Sequence, residues 1–223
     1  MNNSLRTAIS IDFARVRERM IQAQVIARGI RDPKIIAAMR RVPRHLFVPE
    51  ALRGQAYGDT ALPIGEGQTI SQPYMVAFLC AALGLHGNER ILEVGTGSGY
   101  QAAILSHLAA RVYSVERIRS LLSRARRILD LIDCRNVLTK LFDGTHGWKE
   151  EAPFDAILVT AAAPFVPPPI MEQLKPGGTL VIPIGNQKSQ KLIRIRKKNI
   201  NLVEDLGNCQ FVELVGEYGL SKK

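Results

Sequence analysis

The residues best suited to chemistry lie in one run, Ile-Leu-Glu-Val-Gly-Thr-Gly-Ser-Gly, at positions 91–99. An apolar stretch leads to Glu93, and three glycines then follow at alternate positions, Gly95, Gly97 and Gly99. Glycine lets the chain turn sharply and lets a ligand approach the backbone, and the helix expected next adds unpaired N–H groups. The run therefore predicts a nucleotide-type pocket at the carboxyl end of a strand.

The spacing of the glycines indicates which nucleotide is expected. The dinucleotide fingerprint Gly-x-Gly-x-x-Gly needs a glycine where this sequence has Tyr100. The observed order, Glu-x-Gly-x-Gly-x-Gly, resembles motif I of the class I S-adenosylmethionine-dependent methyltransferases. An NAD site and a glycine-rich turn without a ligand are the alternatives.

Two later positions carry acidic residues that suit such a pocket. Glu116 ends the second predicted strand, 21 residues after Gly95, where a carboxylate can accept hydrogen bonds from both ribose hydroxyls. Asp143 and Gly144 follow the third predicted strand, and in a methyltransferase of this type that position can bond the adenine amino group. The alternatives are a surface glutamate at a strand end and an ordinary Asp-Gly turn.

The scaffold for these residues is predicted from Arg90 onward, where strand and helix patterns alternate. This alternation predicts a doubly wound, mostly parallel Rossmann-like α/β sheet with helices on both faces. Two later strands without a clear helix between them predict antiparallel pairing at one edge. The predicted strands are 90–95, 111–116, 137–141, 155–161, 179–184, 190–198 and 209–216, and the predicted helices are about 99–108, 117–131 and 167–174.

Helical patterns dominate the N-terminal part. Apolar spacing predicts a helix over 12–28 that ends at Gly29. Asp32 and Pro33 fit the cap and first turn of a second helix, which runs through Met39.

A third helix is predicted to end near Leu83, with Ser71 as its cap and Pro73 in its first turn. We expect one domain over 1–223. In it, residues 1–85 form a helical cap with an active-site loop, and residues 86–223 form the cofactor-binding core.

Charge and composition argue against several classes of function. The net charge is +10, but the basic residues are spread along the chain and their clusters are not interleaved with aromatics, so a solvated basic surface is favoured over a specific nucleic-acid site. No apolar run reaches the length of a membrane span, and the N-terminus lacks the apolar stretch of a signal peptide, so a cytoplasmic location is expected. Cys80, Cys134 and Cys209 are predicted to be reduced, mostly buried thiols, and no metal site is expected.

Four segments together resemble the protein-L-isoaspartate O-methyltransferases, and the similarity extends from about Asp32 to Gly185. They are Tyr-Gly-Asp-Thr-Ala-Leu-Pro-Ile-Gly-Glu-Gly-Gln-Thr-Ile-Ser-Gln-Pro-Tyr at 57–74, Glu-Val-Gly-Thr-Gly-Ser-Gly-Tyr-Gln-Ala-Ala at 93–103, Phe-Asp-Ala-Ile-Leu-Val-Thr-Ala-Ala-Ala-Pro at 154–164 and Leu-Lys-Pro-Gly-Gly at 174–178.

The resemblance implies methyl transfer from S-adenosylmethionine, without a metal, to the α-carboxylate of L-isoaspartyl residues or the side-chain carboxylate of D-aspartyl residues. Isoaspartyl proteins and peptides are then the partners. Repair would proceed through a succinimide, and a monomer is favoured.

The resemblance also implies roles for matching residues. Ser71 corresponds to the active-site serine, although it could instead only cap its helix. The cofactor contacts implied are Thr69, Ile70, Ser71, Glu93, Gly95, Thr96, Gly97, Ser98, Gly99, Tyr100, Glu116, Asp143 and Gly144. The acceptor surroundings implied are Asp59, Ile64, Gln68, Thr160, Ala161 and Ala162. Departures from the family pattern occur at His146, at Glu213 (commonly proline) and after Gly216.

The acceptor chemistry is consistent with the residues present. The segment 160–164 lacks the Asn/Asp-Pro-Pro-aromatic motif with which base-amino methyltransferases grip a planar amine, and its small residues can admit a peptide main chain. A free α-carboxylate has a pKa of about 3.5 and needs no general base at neutral pH. An RNA or small-molecule methyltransferase on the same fold and a non-catalytic cofactor-binding protein are the alternatives.

Overall fold

A seven-stranded sheet forms the centre of the molecule in a computed structural model that describes residues 12–220. The strands are β1 Leu62–Gly65, β2 Gln68–Ile70, β3 Arg90–Val94, β4 Arg111–Glu116, β5 Val137–Leu141, β6 Phe154–Val159, β7 Leu174–Gly185, β8 Gln190–Arg196 and β9 Leu202–Cys209. The main sheet has the order β5-β4-β3-β6-β7-β8-β9, and β1 and β2 form a separate antiparallel pair. Strands β3 to β7 are parallel, and β8 and β9 are antiparallel additions. The predicted fold class is confirmed.

The helices are α1 Phe13–Met20, α2 Pro33–Arg41, α3 Pro73–Leu83, α4 Tyr100–Ser106, α5 Arg119–Leu131 and α6 Pro168–Glu172. A π-helix, Ile21–Ile26, continues α1. The Asp32 carboxylate accepts a hydrogen bond from the N–H of Lys34 at 2.8 Å, so the predicted cap of α2 is confirmed. Helix α2 continues two residues beyond Met39.

The prediction that Ser71 caps α3 is wrong. The helix begins at Pro73, and its cap position is Gln72, which makes no capping bond through its side chain. Proline fixes the first helical position, so the residue directly before it is the cap, and Ser71 lies one residue too early.

The prediction of a last strand over 209–216 is also wrong. Strand β9 ends at Cys209, because the chain turns back directly after β8 and pairs with it as a hairpin. The next segment leaves the sheet edge and returns to the end of β6. There the N–H of Ala162 donates to the Val212 carbonyl, and the N–H of Leu214 donates to the Ala162 carbonyl, both at 2.8 Å.

Apolar side chains cover both faces of the sheet. On one face, helices α2, α3 and α4 join sheet residues in a single buried cluster that includes Met39, Leu79, Ile104 and Leu158. On the other face a smaller cluster surrounds Ile170 of α6. Alternation along each strand produces the two faces, and the N-terminal helices therefore pack on the same side of the sheet as α4.

Within residues 12–220, no helix combines the length and the apolar character needed to span a bilayer. In the same range, no group of three or more His, Cys, Asp or Glu side chains is placed to hold a metal ion. Cys80, Cys134 and Cys209 are free thiols, of which the first two are buried, as predicted.

Candidate functional site

The glycine loop joins β3 to α4 and is packed on both sides. The N–H of Gly95 donates to the Val115 carbonyl at 2.9 Å, which fixes the loop against β4. Gly95 has a φ of 103°, and a Cβ there would overlap the Thr160 hydroxyl. Gly99 has a φ of 88°, and a Cβ there would lie 3.1 Å from Cβ of Ala125 in α5. The glycines at these positions therefore allow a left-handed backbone and close packing at once.

A cavity of about 380 Å³ lies beside this loop, at the carboxyl ends of β3, β4 and β6. This volume is within the range of small-molecule sites. Thirteen of the predicted site residues line it: Gln68, Thr69, Ile70, Ser71, Gly95, Thr96, Gly97, Ser98, Tyr100, Glu116, Gly144, Thr160 and Ala161. The β1–β2 hairpin, which the sequence patterns did not predict, brings the first four of them to the cavity.

Six predicted residues do not line the cavity: Asp59, Ile64, Glu93, Gly99, Asp143 and Ala162. Asp59 forms an ion pair with Arg28 at 3.3 Å, with nearly half of its side chain exposed. Ile64 is buried in the hairpin. The backbone of Ala162 holds the returning C-terminal segment. These residues support the site from outside the cavity wall.

Glu116 is fixed at the cavity wall by two backbone groups. Its Oε2 accepts a hydrogen bond from the N–H of Gly97, and its Oε1 accepts one from the N–H of Ile118, both at 2.9 Å. A carboxylate oxygen can accept more than one bond, so both oxygens retain capacity for hydroxyl donors of a ligand. The side chain is held before any ligand arrives.

Glu93 lies beneath the glycine loop and is fully buried. It accepts a hydrogen bond from the Ser114 hydroxyl, which in turn lies 2.6 Å from the Thr96 hydroxyl. Burial raises the pKa of Glu93 to about 8, and the bond from Ser114 opposes this rise only in part. Its other oxygen has no partner among the described residues. Glu93 is therefore a largely protonated support of the loop at neutral pH.

Ser71 is positioned through its backbone. Arg44, a fully buried residue, donates from one terminal nitrogen to the Ser71 carbonyl at 2.7 Å and from Nε to the Ala56 carbonyl at 2.6 Å. Its guanidinium also lies 4.9 Å from the centre of the Tyr100 ring. Among the described residues, the Ser71 hydroxyl has no hydrogen-bond partner and makes no capping bond to α3, and Ser71 lines the cavity. The hydroxyl is therefore available to a ligand.

Thr160 ties the ends of β6 and β3 together at the cavity wall. Its hydroxyl is 3.0 Å from the Val94 carbonyl and 2.9 Å from the Gly95 carbonyl, so it donates to the glycine loop. Only small side chains follow it, and Ala161 forms part of the cavity wall. The arrangement leaves room for a main chain to approach.

The segment Val212–Tyr218, which we call the C-terminal strap, crosses the site. Its first four residues line the cavity. Further on, the N–H of Glu217 donates to Asp143 at 2.9 Å, and Glu217 also lies 2.9 Å from Nε2 of His146. Burial acts to raise the pKa of Asp143, but the N–H groups of Glu217 and Thr145 and the Thr145 hydroxyl lower it below its ordinary value. Asp143 is therefore an ionised anchor of the strap.

Sequence patterns missed the strap and Arg44 as parts of the site. A strand was expected over most of the strap, and Arg44 was counted only as one member of a basic cluster. The strap and Arg44 contact residues that are far away from them in the chain. Local periodicity therefore gives no signal for these contacts.

The charged residues that line the cavity are Glu66, Glu116, Glu213 and Arg117. The cavity is thus locally acidic, although the chain as a whole carries a charge of +10. Such a wall favours a ligand that carries positive charge. Taken together, the geometry can hold a nucleoside beside Glu116 and a second ligand beside Ser71 and Thr160.

Comparison with known families gives a match over nearly the whole chain. A family model described as protein-L-isoaspartate(D-aspartate) O-methyltransferase matches residues 15–219. A protein-L-isoaspartate O-methyltransferase of Syntrophotalea carbinolica is 58% identical over 211 residues, which cover 94% of this chain and 97% of that protein. One of Geobacter metallireducens is also 58% identical and covers 94% of this chain and 98% of that protein.

Solved structures give the same result. A protein-L-isoaspartate O-methyltransferase is similar with a TM-score of 0.82 at 30% identity, covering 91% of this chain and 67% of that one. A Plasmodium falciparum protein, described as a protein-L-isoaspartate O-methyltransferase in complex with S-adenosyl-L-homocysteine, is similar with a TM-score of 0.76 at 27% identity. That match covers 91% of this chain and 98% of the other.

Proposed function

Because the chain belongs to the protein-L-isoaspartate(D-aspartate) O-methyltransferase family, we propose that the cavity beside the glycine loop is its active site. The enzyme transfers a methyl group from S-adenosylmethionine to the α-carboxylate of L-isoaspartyl residues and to the side-chain carboxylate of D-aspartyl residues in damaged proteins. One observation carries the assignment of the site. A fixed carboxylate, Glu116, and a hydroxyl without a partner among the described residues, Ser71, line the same cavity.

The residues of the cavity fit the cofactor. Glu116 would accept hydrogen bonds from the ribose hydroxyls, and the loop from Gly95 to Tyr100 would lie against the rest of the nucleoside and the methionine part. Gln101, a residue of the cavity wall, has a buried Oε1 without a partner among the described residues. This unpaired acceptor suits a ligand that carries an N–H donor. Asp143 and Gly144 stay our proposed contacts to adenine.

Catalysis by these residues consists of alignment and exclusion of water. When bound, S-adenosylmethionine supplies a methyl group that is already activated on a sulfonium. The acceptor carboxylate is ionised at neutral pH, so no residue has to remove a proton. We infer that the Ser71 hydroxyl donates to one carboxylate oxygen and leaves the other directed at the methyl group. The small residues Thr160, Ala161 and Ala162 let the acceptor main chain come close.

The charges of the cavity agree with this transfer. Opposite charges on acceptor and donor are neutralised as the bond to the methyl group forms, so a strong cationic clamp would stabilise the ground state more than the transition state. Ser71, a neutral donor, avoids that effect. The methyl ester carries methoxide, which leaves far more easily than an oxygen of a free carboxylate. The following amide nitrogen then attacks the ester carbonyl, and loss of methanol, which takes up the amide proton, gives the succinimide without further help from the enzyme.

The test is methyl transfer from labelled S-adenosylmethionine to a matched pair of peptides, one with L-isoaspartate and one with L-aspartate at the same position. We expect base-labile label in the isoaspartyl peptide alone. Label in neither peptide, from folded protein that binds the cofactor, would contradict the assignment.

Four further features stay predictions of the sequence: a single domain, a monomer, a cytoplasmic location and no specific nucleic-acid partner. Sedimentation tests whether the protein is a monomer, and cell fractionation tests its cytoplasmic location. Binding to RNA that persists at high salt would contradict the fourth, because binding through phosphate contacts alone weakens steeply as salt is added.

A further inference from the structure

Glu213 is a carboxylate of the active-site cavity that the mechanism does not use. It belongs to the C-terminal strap and lines the cavity together with Ser71 and Thr160. Among residues 12–220, no hydrogen bond and no ion pair is formed by this carboxylate. The residue is only partly exposed, so an ionic partner that binds there would be screened less than one on the open surface.

The strap holds Glu213 in a fixed place. Its backbone forms a parallel bridge to Ala162, and its two neighbours, Val212 and Leu214, make the 2.8 Å hydrogen bonds to Ala162. Val212 and Leu214 pack into the apolar cluster on the α6 face of the sheet. Side chains alternate along an extended segment, so the side chain of Glu213 lies on the opposite side of the strap from those of Val212 and Leu214.

The strand order places Glu213 on the acceptor side. Glu116, the proposed ribose ligand, ends β4, whereas Glu213 is bridged to the end of β6, two strands away in the order β4-β3-β6. Neighbouring strands are about 4.8 Å apart, so roughly 10 Å of sheet separates the two positions. Thr160 and Ala161, which surround the acceptor in our proposal, directly precede Ala162 in the chain, the residue to which Glu213 is bridged.

The charge of Glu213 decides what it can recognise. The acceptor group is itself a carboxylate, and a second carboxylate nearby repels it unless a cation lies between or beside them. On this basis, and resting on the proposed function, we propose that Glu213 is a specificity-determining residue. It favours isoaspartyl sites with a lysine or arginine side chain next to them and disfavours sites flanked by glutamate or aspartate.

The test uses three isoaspartyl peptides that differ only at the two residues next to the isoaspartyl residue, which are lysine, glutamine or glutamate. Steady-state kinetics are measured for the wild type, Glu213→Gln and Glu213→Lys. The control is Glu172→Gln, which makes the same charge change on the exposed surface of α6, outside the cavity. Melting temperatures establish that each variant is folded.

For the wild type we expect kcat/KM to fall by about three- to ten-fold from the lysine to the glutamate peptide, through KM. Glu213→Gln removes most of this difference, Glu213→Lys reverses it, and Glu172→Gln keeps it. The KM for the glutamine peptide falls in both Glu213 variants, because the repulsion between Glu213 and the acceptor carboxylate is removed. The KM for S-adenosylmethionine changes by less than about two-fold, the size of a weak surface effect.

Two results would overturn the proposal. One is a wild type that methylates the three peptides alike, or an unchanged preference in folded Glu213→Gln. The other is a KM for S-adenosylmethionine that rises in Glu213→Gln with peptide preference intact, which would assign the carboxylate to the cofactor. Both leave methylation of isoaspartyl peptides in place, so they are distinguishable from failure of the proposed function, in which no isoaspartyl peptide is methylated.

Discussion

At the scale of single residues, the site combines a carboxylate that is held by hydrogen bonds within the protein with a hydroxyl that has no hydrogen-bond partner among the described residues. Glu116 has two backbone donors, whereas the Ser71 hydroxyl has no partner among the described residues. Because α3 is capped at Gln72, removal of the Ser71 hydroxyl takes no capping bond from that helix. A Ser71 variant therefore tests catalysis with little effect on folding.

For Ser71→Ala we expect kcat with an isoaspartyl peptide to fall by roughly ten- to a hundred-fold, because the acceptor carboxylate is no longer held in line with the methyl group. The melting temperature should stay within about 2 °C, because no capping bond is lost. Ser123→Ala, on the exposed face of α5, is the control. Wild-type turnover by a folded Ser71→Ala enzyme would contradict the role of this hydroxyl.

Glu93 predicts a pH dependence of stability. Burial raises its pKa from 4.5 to about 8, so its contribution to stability is fully present below about pH 4.5 and is lost as the pH rises to 8. Glu93→Gln mimics the protonated form at every pH. We expect the free energy of unfolding of Glu93→Gln, relative to that of the wild type, to rise by roughly 1 kcal/mol per pH unit between about pH 4.5 and 8.

Urea unfolding at pH 5, 6, 7 and 8 measures this difference. The exposed variant Glu172→Gln should follow the wild type at each pH. A constant difference between Glu93→Gln and the wild type would show that Glu93 is ionised throughout.

At the scale of elements, the C-terminal strap links the end of β6 to the turn after β5. Its anchor there is Asp143, which accepts bonds from the N–H groups of Thr145 and Glu217 and from the Thr145 hydroxyl. These donors lower the pKa of Asp143, so its contribution to stability is present above its unfolded pKa and is lost as the pH falls through the lower, folded pKa.

We expect Asp143→Asn to loosen the strap, because an amide NH2 cannot accept a bond from the N–H of Glu217. The free energy of unfolding at pH 7 should fall by about 1–3 kcal/mol, as for a lost bond to a charged group. Hydrogen exchange of the Glu217 and Tyr218 amides should become faster. The comparison is Asp205→Asn on β9, because Asp205 forms an exposed ion pair with Lys191 of β8. Equal exchange of the Glu217 and Tyr218 amides in the two variants would argue against the anchor.

At the scale of the whole molecule, the N-terminal helices and the sheet share one apolar cluster. Residues of α2 and α3 pack with residues of α4 and the central strands in that cluster. Because these helices and strands bury apolar surface against one another, unfolding of one exposes the surface of the other. We therefore expect one cooperative unfolding transition.

The test follows urea unfolding by far-ultraviolet circular dichroism and by the fluorescence of Trp148, the single tryptophan. Trp148 lies on the α6 side of the sheet, whereas most of the helices that give the circular dichroism signal lie on the other side. Coincident midpoints of the two signals would therefore show that both sides unfold in one transition. S-adenosylhomocysteine at a hundred times its Kd should add about 2.7 kcal/mol to both curves. Separate midpoints would indicate that the helical part unfolds independently.

The sequence by itself determined the parallel core and the nature of the pocket. Glycine spacing, the acidic residue after β4 and the alternation of strands and helices are local properties, because backbone turns and periodic burial act over a few residues. For the same reason the positions of β3 to β6 and the cap of α2 at Asp32 followed from the pattern, and the family signatures identified the acceptor.

Only the tertiary structure decided which residues meet. It moved the last strand to β9, turned residues 212–215 into part of a strap over the cavity, and gave Arg44 its place behind Ser71. It also gave Glu93 a partner in Ser114 and gave Asp143 a partner in the strap. The bond from Arg44 to Ser71 joins residues 27 positions apart in the chain, and the bond from Glu217 to Asp143 joins residues 74 positions apart. Such contacts depend on shape and burial in the folded molecule, which no local pattern records.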